Sequence, residues 1–187
     1  MNVRWLGRLL RGIRAGEHHS ILKHPALTNV PNVISVKSEW FHNGEAMPSR
    51  SAGAGVGENV SPPLTWSGVP AGSEEIAIII EDPDAPLLRP FVHMIAYHIA
   101  PNNPMLVEGA LNHKARDILF GKSTAGAQGY MGPRPVPGHG PHRYCFYVLA
   151  LNRPVGTLIA PKLKTFLKNI CGRTIGYGCL VGVYERD

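Results

Sequence analysis

Short apolar runs dominate the hydrophobic pattern of this chain, and their length is that of strands rather than helices. Residues 76–80 form a continuous aliphatic run, which is typical of a strand buried on both faces. Residues 91–99 alternate, and the alternation places His93 on one face with large apolar side chains. Residues 145–151 have high β propensity, and residues 177–184 form the last predicted strand. The pattern predicts a protein built mainly from β-strands.

Two more segments predict strands near the start of the chain body. Residues 33–40 alternate and are expected to form a half-exposed strand. The turn that follows contains Asn43-Gly44, a pair that favours a hairpin. The double proline at 62–63 excludes a helix from residues 59–66 and suits an edge strand.

Helical periodicity is confined to two segments. Residues 3–14 place leucines and an isoleucine on one face and arginines on the other positions, which predicts a short basic amphipathic helix. A second amphipathic helix is expected to begin at Pro161 and to be closed by Gly172. Three roles remain open for the basic helix: packing on its own domain or on a dimer partner, reversible contact with an anionic membrane, and removal as a targeting segment.

The chain divides near residue 32. Residues 15–31 contain two prolines and are expected to link the basic helix to the body. We therefore predict an N-terminal helix and linker over residues 1–32 and one domain over residues 33–187.

Composition supports a turn-rich β fold, because 21 glycines and 17 prolines occur without a repeat. The formal net charge of +6 is partly local, since four arginines precede the first acidic residue, Glu17. The body lacks the aromatic and basic pattern of RNA-binding sheets, and we predict no nucleic-acid partner. No apolar run approaches the roughly 18 residues of a membrane span. Three cysteines without a C-x-x-C pair favour a reducing compartment, and we predict the cytoplasm.

The candidate chemistry begins where the aliphatic run ends, in the acidic turn, residues 81–86. Prolines interleave with its carboxylates and make the turn stiff, so the carboxylates cannot easily swing away. A long connection follows, residues 101–143, and connections of this length inside a compact domain are usually functional. Its segment 121–124 imitates the end of a P-loop, but Arg116 stands where the leading glycine belongs. No Gly-x-Ser-x-Gly motif of serine hydrolases occurs.

Three motifs together resemble the phosphatidylethanolamine-binding protein family, also called Raf-kinase-inhibitor-like proteins, particularly its bacterial branch. They are Asp-Pro-Asp-Ala-Pro at 82–86, His93 on the next strand, and Gly-His-Gly-Pro-His-Arg-Tyr at 138–144. Residues 59–66 and 180–184 also look like the family. The resemblance covers residues 33–187 and implies a mainly β fold, Greek-key-like, with a large central antiparallel sheet flanked by a smaller sheet and few helices.

The resemblance also implies a small pocket for phosphate-like anions or phospholipid headgroups. The ligand-binding residues it implies are Asp82, Pro86, Phe91, His93, His142 and Tyr144. Structural support is expected from Asp84, Arg143 and Gly140. No catalytic activity, metal or cofactor is implied. A cis peptide bond is expected at Arg89-Pro90 or Ala85-Pro86.

In such a pocket, Asp82 is expected to hydrogen-bond one imidazole, that of His93 or His142, while Tyr144 donates from its hydroxyl. Two alternatives stay open. Asp82, His93 and His142 have the ligand types of a metal site or of an acid–base pair for hydrolysis. A protein partner, as in protease or kinase inhibition, could instead bind the rim, although kinase regulation is not inherited because this chain ends in a strand.

Overall fold

The computed structural model describes residues 4–112 and 117–186, and its secondary structure is mainly β. In chain order the elements are α1 Arg4–Leu10, β1 Ser35–Lys37, β2 Leu64–Ser67, β3 Glu75–Asp82, β4 Phe91–Ile99, β5 Met105–Leu106, β6 Leu119–Phe120, β7 His142–Leu151, α2 Leu163–Ile170 and β8 Thr174–Tyr184. Strands β6, β4, β3, β7 and β8, in that order, form a five-stranded sheet, and β1, β2 and β5 form a three-stranded sheet. These strands pair antiparallel throughout. The predicted fold class, a large antiparallel sheet beside a smaller one, is confirmed.

Strand β3 lies at the centre of the large sheet because its residues are apolar on both faces. Every residue from Glu75 to Asp82 is buried. Ile78 packs into the inter-sheet core, which lies between the two sheets, and Ile79 packs into the outer core on the opposite face. Each fully buried isoleucine contributes roughly 1.5–3 kcal/mol. The prediction of a strand buried on both faces is confirmed.

Helix α2 covers part of the outer core. Its apolar side is formed by Phe166, Leu167 and Ile170, which are buried. The Phe166 ring packs on Tyr97 of β4, with 5.6 Å between ring centroids. Gly172, with φ of +73°, follows the helix in the conformation that commonly ends helices. The predicted second helix is confirmed.

The segment after α1 is packed on the domain and is not a free linker. Ile21, Ala26 and Leu27 are buried in the outer core. The linker prediction for residues 15–31 is therefore wrong, because these apolar side chains cover sheet surface that would otherwise face water. The boundary at residue 32 stays a prediction, and residues 1–3, 113–116 and 187 of the predicted segments lie outside the described residues.

Helix α1 is shorter than predicted and is oriented by a glycine. Gly7 is buried, and a Cβ atom there would lie 2.0 Å from the carbonyl oxygen of Pro137. The helix therefore packs its smallest residue against the protein. Trp5 is 65% exposed and Leu9 is 71% exposed, so apolar side chains of the helix face outwards.

Strand β4 contains a β-bulge at His93. Ile80 of β3 pairs with Met94, whereas its neighbour Glu81 pairs with Val92, so His93 is an extra residue on β4. A bulge of this kind interrupts the alternation of side chains between the two faces of the sheet, so a side chain points to a different face than alternation predicts.

The bulge moves His93 away from the face that alternation predicts. Ile95 and Tyr97 pack in the outer core. The His93 ring instead lies 5.1 Å from the ring of Tyr144, which belongs to the inter-sheet core. The prediction that His93 shares a face with Ile95 and Tyr97 is wrong, because simple alternation cannot register an extra residue.

The hairpin predicted at Asn43-Gly44 is not formed. Strand β1 pairs with β2, and the turn docks on β8. The Asn43 side chain accepts a hydrogen bond from the Val181 amide (2.9 Å), and the Gly44 amide donates to the Val181 carbonyl (2.7 Å). The turn residues thus find their partners on an existing strand rather than in a hairpin.

Two predictions that rest on proline are also wrong. The double proline precedes β2, which lies between β1 and β5 rather than at an edge. No cis peptide bond occurs in residues 4–112 and 117–186, so Arg89-Pro90 and Ala85-Pro86 are both trans. The Leu87 amide donates to the Ala85 carbonyl across Pro86 (2.7 Å), and this tight turn is compatible with the ordinary trans bond.

Candidate functional site

The predicted site residues meet where three strands of the large sheet come together. Strand β3 pairs with both β4 and β7, so its C-terminal end adjoins the start of each. Asp82 at the end of β3 pairs with Phe91, the first residue of β4. His142 and Tyr144 lie at the start of β7. Sheet pairing therefore brings together side chains that are up to about 60 residues apart in the chain.

Asp82 and His142 form a buried hydrogen-bonded pair. The Asp82 Oδ2 and His142 Nδ1 atoms lie 2.7 Å apart, and the two side chains are 5% and 2% exposed. The other oxygen, Oδ1, accepts a hydrogen bond from the Asp84 amide (2.7 Å), which closes a turn of the Asx type. The predicted hydrogen bond from Asp82 to an imidazole is confirmed, and the partner is His142.

A second histidine of the same loop extends this pair. His139 Nδ1 lies 2.7 Å from His142 Nε2. His139 Nε2 lies 2.9 Å from the Leu10 carbonyl oxygen and 3.2 Å from that of Ile13. Sequence reasoning assigned no role to His139, because nothing in the sequence indicates that the N-terminal segment folds over this loop.

His93 stands between two aromatic rings, and its burial favours the neutral ring. The Phe91 and Tyr144 ring centroids lie 4.8 Å and 5.1 Å from that of His93. Its Nδ1–H donates to the Met131 carbonyl (2.7 Å), because a carbonyl can only accept. Burial lowers the pKa of His93, and the nearby negative charge of Asp82 only partly opposes this effect. In the neutral ring, Nε2 therefore carries a lone pair.

Tyr144 keeps its hydroxyl proton over a wide pH range. Burial raises the pKa of Tyr144, and the negative charge of Asp82 raises it further. The residue is 1% exposed and its ring packs edge-on against His93. A phenol in this state can donate a hydrogen bond to an anion.

Asp84 holds the turn through a two-pronged ion pair. Arg143 donates from Nε to Oδ2 (2.8 Å) and from an outer nitrogen to Oδ1 (3.0 Å), and its backbone amide also donates to Oδ2 (2.9 Å). Arg14 lies 3.0 Å from the same carboxylate. Burial opposes ionisation of Asp84, but the Arg143 hydrogen bonds outweigh burial and lower the pKa of Asp84 to about 2. Glu17 pairs with the exposed side of Arg143.

Pro86 and Gly140 are placed at the border of this group. Pro86 is half-buried on the acidic turn. Gly140 has φ of +101°, a conformation that favours glycine, and a Cβ atom there would lie 3.5 Å from the Arg14 guanidinium. The glycine thus permits the loop to pass beside the residue that pairs with Asp84.

The described residues of this arrangement do not provide a set of ligands for a metal ion. Both ring nitrogens of His142 are hydrogen-bonded, and His93 Nδ1 is used by the Met131 carbonyl. Within the described residues, no group of three or more histidine, cysteine, aspartate or glutamate side chains has the geometry to hold a metal ion.

A sequence model of the family described as phosphatidylethanolamine-binding protein matches residues 37–185. The chain belongs to the phosphatidylethanolamine-binding protein family. A UPF0098 protein of Pyrococcus horikoshii is 37% identical over 153 residues, covering 80% of this chain and 75% of the relative. The UPF0098 protein of Aquifex aeolicus is 32% identical over 157 residues, covering 83% and 90%.

Solved structures of family members have the same fold. A phosphatidylethanolamine-binding protein homologue of Chlamydia trachomatis aligns with a TM-score of 0.75 at 32% identity, over 83% of this chain and 99% of that one. YbcL of Escherichia coli aligns with a TM-score of 0.76 at 27% identity, with the same coverage. At the level of the family, these matches support a binding role. Neither described helix is long and apolar enough to cross a membrane.

Proposed function

We propose that this family member binds phosphate-like anions, as free phosphate or as the headgroup of a phospholipid, and does not turn them over. The observation that carries the proposal is that both carboxylate oxygens of Asp82 are hydrogen-bonded within the protein. One of its oxygens accepts from the Asp84 amide and the other meets His142 Nδ1. Because both oxygens have partners inside the protein, we expect a ligand to be met by His93 Nε2 and by the hydroxyl proton of Tyr144, whose oxygen also has a backbone partner at Arg134.

These two groups suit a phosphoryl ligand. Tyr144 retains a hydroxyl proton that can be donated to a phosphoryl oxygen. His93 presents an aromatic face beside Phe91, and it can take up a proton when a negative charge arrives. Arg143 and Arg14 add positive charge beside the acidic turn, which offsets the carboxylate of Asp84.

The hydrogen bonds of His142 argue against this residue as a general base. A general base needs a free ring nitrogen within hydrogen-bond reach of the substrate. Both nitrogens of His142 are within 2.7 Å of other side chains. A screen for phosphatase and esterase activity is expected to show no activity that depends on His142.

Calorimetric titration of the full chain tests the proposal with two probes, inorganic phosphate and glycerophosphoethanolamine. Binding of both indicates recognition of the phosphoryl group, whereas binding of the second alone indicates a lipid headgroup. Tyr144→Phe is expected to weaken binding by roughly 10- to 100-fold, the value of one hydrogen bond to a charged group.

The matched control is Tyr97→Phe, because the Tyr97 hydroxyl donates to the Leu158 carbonyl (2.6 Å) and its ring lies in the outer core. This variant is expected to bind like the wild type. The proposal is overturned if the wild type binds neither probe at millimolar concentration, or if both variants bind as well as the wild type.

A further inference from the structure

A row of three hydrogen-bonded links joins the candidate site to the N-terminal segment. The row runs from Asp82 Oδ2 to His142 Nδ1 and from His142 Nε2 to His139 Nδ1. It ends where His139 Nε2 meets the carbonyl oxygens of Leu10 and Ile13. Carbonyl oxygens only accept, so His139 Nε2 carries a hydrogen.

The number of hydrogens in this row can be counted. Each of the three links needs one hydrogen, whereas an ionised Asp82 and two neutral imidazoles supply only two. The row therefore holds one additional proton, on His139, on His142 or on Asp82. In each of these placements the net charge of the three side chains is zero. Without the additional proton the net charge is −1, which repels a bound phosphate.

The N-terminal side of the row belongs to a strap, residues 10–20, that lies along the acidic turn. Its backbone bonds directly to the turn: the Ala15 amide donates to the Ala85 carbonyl (3.0 Å) and the Gly16 amide donates to the Pro83 carbonyl (2.8 Å). The strap therefore adds backbone hydrogen bonds beside the side chains of the site.

Side chains fasten the strap on both sides of these backbone bonds. Arg14 pairs with Asp84 at 3.0 Å, and Glu17 pairs with Arg143. Ser20, which is buried, donates its hydroxyl hydrogen to a carboxylate of β3. The strap is thus a built contact with the same turn that carries Asp82.

We infer that His139 is a positioning residue through which docking of the strap sets the charge of the candidate anion site, an inference that rests on the proposed function. The docked strap needs the additional proton, because only then does each link of the row have a hydrogen. The same proton cancels the charge of Asp82. Strap docking and anion binding therefore strengthen each other by the same factor.

The other charged and titratable side chains that face the row or the strap are Arg11, Arg14, Glu17, Glu81, Asp84, His93, Arg143 and Tyr144. The arginines stay charged and Tyr144 stays protonated between pH 6 and 8. Asp84, with a pKa of about 2, stays ionised, whereas burial lowers the pKa of His93 and raises that of Glu81. Ser20 of the strap is hydrogen-bonded to Glu81, so variants of His139 are needed to separate the additional proton of the row from protonation of Glu81.

Hydrogen exchange of the Ala15 and Gly16 amides in the full chain, measured by NMR, reports strap docking directly. Protection is expressed relative to an unstructured chain at the same pH, which removes the base catalysis of exchange. In the wild type, protection is expected to fall as pH rises, by at most about tenfold per pH unit for a link to one proton. A wild type with pH-independent protection overturns the inference.

Two variants distinguish the contact of His139 Nδ1 with His142 from the contact of His139 Nε2 with the strap. In His139→Gln the amide nitrogen takes the place of Nε2, so it can donate to the Leu10 and Ile13 carbonyls without an additional proton. Protection is expected to persist and to lose its pH dependence. In His139→Asn the amide nitrogen takes the place of Nδ1 and cannot reach the strap, so protection is expected to fall at every pH.

The strap carries two exposed histidines, His18 and His19, and a variant that lacks both serves as a control. The double variant His18→Gln, His19→Gln is expected to keep the wild-type pH dependence. If this variant loses it, or if His139→Gln keeps it, the inference is overturned. The imidazole nitrogen signals of wild-type His139 and His142 give a second readout that needs no variant: two neutral rings with a docked strap and an ionised Asp82 contradict the proton count.

Adding glycerophosphoethanolamine separates this inference from the proposed function. Saturating ligand is expected to raise the protection of Ala15 and Gly16 in the wild type and to leave it unchanged in His139→Gln. If the ligand binds but protection does not change, the coupling is overturned. If the pH dependence is present and no ligand binds, the proposed function fails and the proton-linked docking of the strap stands.

Discussion

Asp82 and Asp84 are two residues apart, and their surroundings give them different roles. Asp84 meets two arginines and is fully ionised, with a pKa of about 2. Within the part of the chain that the structure describes, Asp82 pairs with no arginine, and its Oδ2 is hydrogen-bonded to His142 Nδ1. Asp84 therefore holds the turn, whereas Asp82 hydrogen-bonds the imidazole of His142, although both carboxylates belong to one Asp-Pro-Asp sequence.

Replacing Asp84 by asparagine is expected to lower the free energy of unfolding by about 2 kcal/mol, because the carboxylate is 6% exposed and hydrogen-bonded to Arg143. The folded pKa of about 2 lies below the usual 3.8, so this contribution is present above about pH 4 and is lost as pH falls towards 2. Urea unfolding at several pH values measures it.

The control for Asp84 is Glu108→Gln, which breaks the exposed pair with Arg50 and is expected to cost less than about 1 kcal/mol. Equal losses in the two variants, or an Asp84→Asn loss that persists unchanged at pH 2, would contradict the assignment.

If the protein binds anions as proposed, we expect His93 to make the affinity depend on pH. Burial lowers the pKa of His93 in the free protein, whereas a bound anion favours the protonated ring, so binding takes up a proton. Affinity is expected to rise as pH falls from 8 to 6. Glycerophosphoethanolamine is the suitable probe, because its phosphodiester does not titrate in this range. Calorimetry in buffers of different ionisation enthalpy counts the protons.

The variant His93→Gln presents an amide nitrogen at the position of Nε2 at every pH, so its affinity is expected to vary less with pH than that of the wild type. The same slope in both proteins would rule out His93 as a source of the dependence.

The elements around the site could be predicted from the sequence better than their side-chain directions. The aliphatic run predicted β3 correctly, because a strand covered on both faces leaves an unmistakable pattern. Alternation placed His93 on the wrong face, because an inserted residue changes the parity without changing the apolar pattern. The motif resemblance pointed to His142 and Tyr144, but the role of His139 could not be found, because its Nε2 meets backbone carbonyls of an N-terminal segment whose docking the sequence does not indicate.

Helix α1 has an outward apolar side that suits a lipid surface. We propose that an anionic bilayer covers it, because the exposed Trp5 and Leu9 lie on a helix whose exposed Arg8 has no acidic partner among the described residues. The full chain is expected to sediment with vesicles that contain phosphatidylglycerol, less so at high salt, and not with vesicles of phosphatidylcholine alone.

The variant Leu9→Ser is expected to reduce this sedimentation, whereas Ile159→Ser, at a residue 93% exposed beyond β7, is not. A wild type that stays in solution with both kinds of vesicle contradicts the proposal. If instead light scattering shows a dimer that Leu9→Ser converts to a monomer, a second copy of the chain is the partner.

The folded domain includes N-terminal residues that lie outside the part matched by the family model. The matched region begins at residue 37, yet Ile21, Ala26 and Leu27 lie in the outer core and the strap lies on the acidic turn. The sequence predicted a linker here, because the segment contains prolines and has no clear helix or strand periodicity. Its apolar residues are scattered along the chain and come together only where they pack on the sheet. The fold class was predictable, whereas the docking of the N-terminal segment was not.

Replacing Ile21 by alanine tests whether the N-terminal segment belongs to the folding unit. Ile21 is 2% exposed, so a cost of about 2–4 kcal/mol is expected, with one cooperative transition by circular dichroism and by near-ultraviolet signals. Ile159→Ala, at a residue 93% exposed, is the matched control and is expected to change stability by less than about 0.5 kcal/mol. Similar values for the two variants would show that the segment packs loosely.

The turn at Asn43-Gly44 has a consequence for the solubility of the protein. It docks on β8, the last strand of the large sheet, and the Met47 amide continues this contact by donating to the Val183 carbonyl (2.8 Å). Strands with open edges recruit further strands and lead to aggregation. A segment that failed to form a hairpin thus shields a long edge, and its loss would expose that edge to the β8 strands of other copies.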